Sequence, residues 1–181
     1  MMIVRFAEIM EINSLVFSID SKMKIKISDE VLKIIQKYKQ DTKYSLEAGG
    51  IILGRYLWSE DVVIDYITVP MDNDKRKKYY FYRNKESHQA EIIKYWRESN
   101  GTCNYLGEWH THPEDIPKPS KYDINQWKKI IKNAQYDNDY LLFLIAGKKQ
   151  IKIWIGYQDN LNIKELLIYK NKGDKNAKNS R

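Results

Sequence analysis

The chain has 181 residues, enough for one domain with a core of its own. A hydrophobic share of 43% and an aromatic share of 13% exclude an intrinsically disordered protein, and a single cysteine, Cys103, excludes an internal disulfide. The formal charge of +7 raises the question of nucleic acid, but the excess is mostly lysine, in runs at 75–78, 148–149 and 170–181, as on a solvated surface; no nucleic-acid partner is expected.

The first twenty residues, MMIVRFAEIMEINSLVFSID, alternate apolar with charged positions and lack the apolar core of a secretion signal. No stretch approaches the roughly 20 apolar residues that a membrane span needs. A soluble, cytoplasmic protein without a membrane partner is predicted.

In chain order, residues 15–19 and 23–27 are short and apolar-rich, which predicts two strands joined at 20–22. Ser28 precedes a helix whose stripe is Val31, Ile34, Ile35 and Tyr38, ending near Gln40. Residues 48–58 and 62–69 read as strands, and the charged stretch 71–78 as an exposed loop. A second helix is predicted over 85–99, with Ala90, Ile93 and Trp96 facing inward and Asn100-Gly101 stopping it. Residues 105–112 form a strand broken by Pro113. A third helix follows over 120–134, burying Ile124, Trp127, Ile130 and Ile131. Residues 141–146 and 151–157 make a hairpin, 166–169 a last strand, and the remaining basic tail is predicted to be disordered. The sum is a single α/β domain over residues 1–165, with a mixed sheet and three helices.

The stretch Gly107-Glu108-Trp109-His110-Thr111-His112-Pro113 carries the chemistry. Side chains at i and i+2 of a strand share a face, so His110 and His112 can present two imidazoles to one point. After seven intervening residues, stiffened by Pro113, Pro117 and Pro119, Ser120 stands at a helix start and Asp123 one turn in. Two histidines and a carboxylate leave one tetrahedral position open, as at a catalytic zinc. Alone, each piece has a plainer meaning: a His-x-His pair is more often surface or core, and Ser-x-x-Asp resembles a capping box. The joint spacing is what makes them specific.

Such a site needs a base. Glu47 opens the run Glu47-Ala48-Gly49-Gly50-Ile51-Ile52-Leu53-Gly54, and a charged residue at the head of a buried strand is either paired, functional or in an exposed turn. The glycines allow a close approach to a neighbouring strand.

Together Glu47, His110-Thr111-His112, Ser120 and Asp123 resemble the signature of the JAB/JAMM metallopeptidases, also called the MPN or Mov34 domain, over roughly residues 15–160. The resemblance implies a cytidine-deaminase-like sheet flanked by helices. It implies one Zn²⁺ per chain on His110, His112 and Asp123, Glu47 as general base and later proton donor, and Ser120 as a donor to the developing oxyanion. The reaction implied is attack of metal-activated water on an amide or isopeptide carbonyl. The compact size and the block from Gly107 to Trp127 look most like small bacterial members of anti-phage cyclic-oligonucleotide-signalling (CBASS) operons. These deconjugate the C-terminus of a nucleotidyltransferase, which implies a protein substrate with an extended C-terminal tail, ubiquitin-like or nucleotidyltransferase-conjugated.

Three other readings remain open at this stage: a non-catalytic MPN-type interaction scaffold, a JAB protein of DNA metabolism, and an amidase acting on a sulfur-carrier protein. Cys103 is expected to be structural, His88 has no assigned role, and the aromatics Tyr79–Tyr82 either hold substrate or pack on the fold.

Overall fold

The computed structural model describes residues 15–169; the N-terminal stretch and the basic tail, about which the sequence makes predictions, lie outside the described residues. Strands β1 (Leu15–Ser18) and β2 (Lys24–Ile27) pair antiparallel around a turn in which Asp20 accepts from the backbone of Lys22 and Met23. Helix α1 (Asp29–Tyr38) starts at Ser28, whose side chain accepts from the Val31 amide, with Asp29 and Glu30 at the positive end of its dipole. Strands β3 (Gly49–Tyr56) and β4 (Val62–Ile67) follow as an antiparallel pair.

Residues 71–78 are not a bare loop. Lys75–Lys77 forms β5 and pairs with β6 (Tyr80–Tyr82) in a separate two-stranded hairpin. The run of cations has no apolar alternation of its own, so its pairing is supplied by the aromatic residues that follow. Helix α2 (Lys85–Glu98) is where predicted, and Asn100 and Gly101, both at positive φ, end it. Its orientation corrects the expectation. Ala90, Ile93 and Trp96 face solvent, with Ile93 42% and Trp96 52% exposed, whereas His88, Ile92 and Tyr95 face the sheet. Tyr95 stacks on Tyr66, at 4.5 Å between ring centroids. Two apolar stripes compete on this helix, and the one carrying a histidine and a tyrosine is the one that packs.

Strand β7 (Asn104–Thr111), helix α3 (Lys121–Asn133), and strands β8 (Tyr140–Ala146) and β9 (Ile151–Tyr157) complete the core, with short β10 (Ile163–Glu165) and β11 (Leu167–Ile168) beyond. β10 has no counterpart in the sequence reading. The last strand predicted over 166–169 is the two-residue β11, which pairs with β1 at the opposite edge from β10. The main sheet runs β10-β9-β8-β7-β3-β4-β2-β1-β11, with β7–β8 and β2–β4 parallel and the other pairs antiparallel. Parallel β7 and β8 require a crossover, and α3 is that crossover.

Period-two alternation divides the core between the faces. On β8, Leu142, Leu144 and Ala146 join the cluster under α1, while Leu141, Phe143 and Ile145 meet Trp127 and Ile131 of α3. Helix α2 covers Ile51, Leu53 and Cys103 beside α3 on that second face. β7 departs from strict alternation because its pairing with β3 slips by one residue, from Ile52↔Gly107 to Leu53↔Tyr105. The resulting bulge lets Leu106 and Trp109, three apart, enter the same cluster. It also aims Glu108, His110 and His112 at the face of α2 and α3.

Gly107 makes the bulge possible. It sits at φ +146°, and a Cβ there would lie 1.8 Å from the Leu142 carbonyl oxygen of β8. Gly107→Ala is therefore expected to destabilise the protein by about 3 kcal/mol or more, combining backbone strain with a clash against main chain. Chemical denaturation of the two proteins checks this; an unchanged midpoint would contradict the role of the bulge.

Candidate metal centre

His110 near the end of β7 and His112 just beyond it lie on one face, with their Nε2 atoms 3.0 Å apart. Thr111 between them points the other way and is fully buried. It accepts from the Ala48 amide at 3.0 Å and donates to Gln40 Oε1 at 3.0 Å. Trp109, also on that opposite face, is buried beneath Tyr38 and donates its indole N–H to the Thr68 carbonyl at 2.8 Å. Burying such a ring removes on the order of 200 Å² from water, several kcal/mol at ~25 cal/mol per Å². The histidine strand is thus held from behind by a packed tryptophan and a satisfied hydroxyl.

The third candidate ligand arrives by a docked loop. After His112, whose amide donates to the Ala146 carbonyl, the chain lies along the β8–β9 turn. Glu114 O accepts from the Lys148 amide at 2.7 Å, and Asp115 O from the amides of Lys149 and Gln150. Gly147 makes room for Pro117, whose Cδ would stand 2.7 Å from any Cβ there. The chain then enters α3 with Ser120 as N-cap. Ser120 and Asp123 form a reciprocal capping box, which points the Asp123 carboxylate back towards the histidines. Its Oδ1 lies 3.5 Å from His110 Nε2 and its Oδ2 3.5 Å from His112 Nε2. The capping-box and ligand readings of Ser-x-x-Asp are therefore compatible in one geometry: the cap aims the carboxylate at the imidazoles.

These donors fit a metal ion. One atom from each of His110, His112 and Asp123 lies within 4.8 Å of the others, and among the described residues no lysine or arginine pairs with Asp123. Burial, opposed by Asp123 and reinforced by His112, holds His110 well below its ordinary pKa, so its lone pair is free at neutral pH. Two imidazole nitrogens and one carboxylate oxygen are the donor set of a catalytic zinc with an open position.

Glu47 stands beside this centre. The β3–β7 register pairs Gly49 with His110, so continuing it two places sets Glu47 opposite His112. Its amide donates to the Lys77 carbonyl of β5 at 2.8 Å, and its carbonyl accepts from Arg76 Nε at 2.8 Å. Burial, with added repulsion from Asp123, pushes the Glu47 carboxyl up to about 8. A cation between the ligands would oppose the repulsive part. Ser120 also lines the cleft, but its hydroxyl donates to Asp123 Oδ2 at 2.6 Å and accepts from the Asp123 amide at 3.2 Å.

The centre lies on the floor of a 620 Å³ cleft, and one wall is the β5–β6 hairpin, from Tyr79 to Arg83. Phe81 packs directly on Gly49, where a Cβ would be 2.7 Å from its ring. The aromatics thus both pack on the fold and line the cleft. Arg83 forms an ion pair with Glu108, which shares the face of the histidines. Sequence reasoning missed Gln40, and gave no role to His88. His88 is fully buried, with Nδ1 2.6 Å from Thr68 Oγ1 and Nε2 3.0 Å from Asp74 Oδ2, at the foot of the hairpin. No spacing rule ties these positions to the motif. Cys103 is buried and its thiol is pushed up to about 11, which suits a structural residue and not a nucleophile.

The Glu47 shift has a stability consequence in the metal-free protein. Between its ordinary pKa of 4.5 and about 8, the folded protein keeps a proton that the unfolded chain releases. Stability is then full below the lower value, falls as pH rises, and levels off above the higher one. Glu47→Gln should remove this slope, leaving the variant more stable than the parent at pH 9 by on the order of a few kcal/mol, and little different at pH 4. Thermal unfolding of metal-stripped samples across that range measures it; parallel curves would contradict the burial of this carboxyl.

Comparison with known proteins shows the family. The family model for prokaryotic homologs of the JAB domain matches residues 29–157. A protein named CD-NTase/cGAS isopeptidase, from Escherichia coli (strain TW11681), is 36% identical over 157 residues, covering 87% of this chain and 96% of that protein. A probable metalloprotease, y4qB, from Sinorhizobium fredii (strain NBRC 101917 / NGR234) is 31% identical over 121 residues, covering 62% of this chain and 72% of its own. The solution structure of protein DSY2949 from Desulfitobacterium hafniense superposes with a TM-score of 0.55 at 20% identity, over 78% of this chain and 88% of that one, and so shares the fold. With the family model matching well over half its length, the chain belongs to the prokaryotic JAB-domain family.

Proposed function

We propose that this chain is a zinc-dependent isopeptidase that hydrolyses the amide or isopeptide bond at the C-terminus of a conjugated protein. A bacterial nucleotidyltransferase conjugate is the substrate that the name of its Escherichia coli relative suggests. The observation that carries the reading is the convergence of His110, His112 and Asp123 in a cleft that Glu47 also lines. JAB-family membership and metalloprotease kinship make a metallopeptidase of it. Zinc at His110, His112 and Asp123 would polarise the scissile carbonyl and acidify water.

The chain's own groups do the rest. Glu47, anchored through both its backbone polar groups, would in its ionised form, which a cation between the ligands favours, take the proton from the attacking water and pass it to the leaving amine. Ser120, open to the cleft, turns its hydroxyl from Asp123 to the oxygen that gains charge. The hairpin wall suits an extended tail. Among the described residues β6 pairs with β5 alone, so its other edge is available for main-chain hydrogen bonds. Arg83 and Glu108 flank the same cleft and offer charge-assisted contacts to the tail. The described residues contain no helix long and apolar enough to cross a membrane.

Glu47→Ala is expected to lower kcat on a nucleotidyltransferase conjugate by roughly 100-fold or more, while zinc content stays at the parent level. Mass spectrometry of the released C-terminus, with metal analysis of the same sample, checks both halves. Retained cleavage would remove Glu47 from the reaction.

A further inference from the structure

We infer that Gln40 is a positioning residue: its buried amide bridges the histidine strand to the hairpin that anchors Glu47, and thereby sets where the base stands relative to the metal ligands. The inference rests on the proposed reaction.

Gln40 is 2% exposed and follows the end of α1. Both of its side-chain polar atoms have partners in the interior. Its Oε1 accepts from Thr111 Oγ1 at 3.0 Å, and Thr111 lies between the two histidines. Its Nε2 donates to the Lys78 carbonyl at 2.7 Å, in the turn of the hairpin, with the Ser45 carbonyl at 3.4 Å. Thr111 Oγ1 in turn accepts from the Ala48 amide, the residue after Glu47, while Glu47 N donates to Lys77 O, the residue before Lys78. The bonds close a ring: Glu47–Ala48, Thr111, Gln40, Lys78–Lys77 and back to Glu47. Ligand strand, hairpin turn and base-bearing segment come from sequence positions far apart, and one primary amide joins them.

A buried amide is costly unless all its partners are present, and a satisfied network admits few alternative geometries. The β3–β7 pairing, continued by the Thr111 amide on the Ala48 carbonyl, holds the chain up to the residue after Glu47, but the turn at Lys78 has no ladder partner on that side among the described residues. Gln40 supplies one. Since a general base works over hydrogen-bond distances, displacement by an ångström lowers turnover without touching the ligands.

Two variants test this. Gln40→Met keeps volume and removes both links, and Gln40→Leu removes both with a branched apolar side chain. Both are assayed with zinc bound, well below their melting temperatures, beside Ile35→Val, a core trim on α1 without polar links. The expected result is a kcat lowered by about 10- to 100-fold in both Gln40 variants with KM and zinc content near the parent. Faster hydrogen exchange at the Glu47 and Ala48 amides should accompany it, and Ile35→Val should show neither. Unchanged kcat, a rise in KM alone, loss of zinc together with activity, or unaltered exchange would each overturn the inference. If the parent protein fails to cleave any conjugate, the proposed reaction falls, while amide exchange still decides whether Gln40 holds the Glu47 segment.

Discussion

The hydrogen bonds between β3 and β7 decide where the chemistry can be. They pair Gly49 with His110, and an antiparallel ladder extended by two residues brings Glu47 level with His112. A slip of one residue would send both imidazoles to the α1 side, into a core of isoleucine and leucine. The slip that does occur, at Gly107, lies upstream of the histidines and is the reason that Trp109 and Leu106 share one core cluster while His110 and His112 share the open face. Backbone geometry at a glycine and burial of a tryptophan thus aim two candidate ligands at the opposite face of the strand.

The third candidate ligand, Asp123, depends on a separate device. Helix α3 must start beside the histidines, and its start is set by a loop that gives its carbonyls to the β8–β9 turn and its prolines to rigidity. The Ser120–Asp123 capping box then costs nothing extra: the carboxylate that satisfies a helix end also faces the imidazoles. An aspartate placed there without a cation is flanked by a glutamate forced to hold its proton, so the metal-free centre is electrostatically frustrated and invites a positive charge.

Much of this was legible in the sequence, for reasons that differ by residue. His110, His112, Ser120 and Asp123 lie within fourteen positions, where strand and helix periods translate spacing into direction, and the structure brings them together. Glu47 lies far upstream and was legible only because a charge at the head of an apolar, glycine-rich strand calls for an explanation. The α2 face was misjudged because Ala90, Ile93 and Trp96 make a good helical stripe in isolation; Tyr95 finds Tyr66 and His88 finds Thr68 and Asp74 only in three dimensions. The hairpin at 75–82 hid behind its lysines, since pairing partners and not hydrophobic alternation hold it. Gln40 was out of reach for the same reason: a polar residue after a helix reads as surface until its partners are known.

The account's central claim is that His110, His112 and Asp123 hold a metal, and elemental analysis of the purified protein beside His110→Ala tests it most directly. The account predicts about one zinc per chain in the parent and almost none in the variant, as loss of one of three protein ligands implies. A parent that takes up no zinc after reconstitution, or a His110→Ala protein that keeps its full complement, would contradict it.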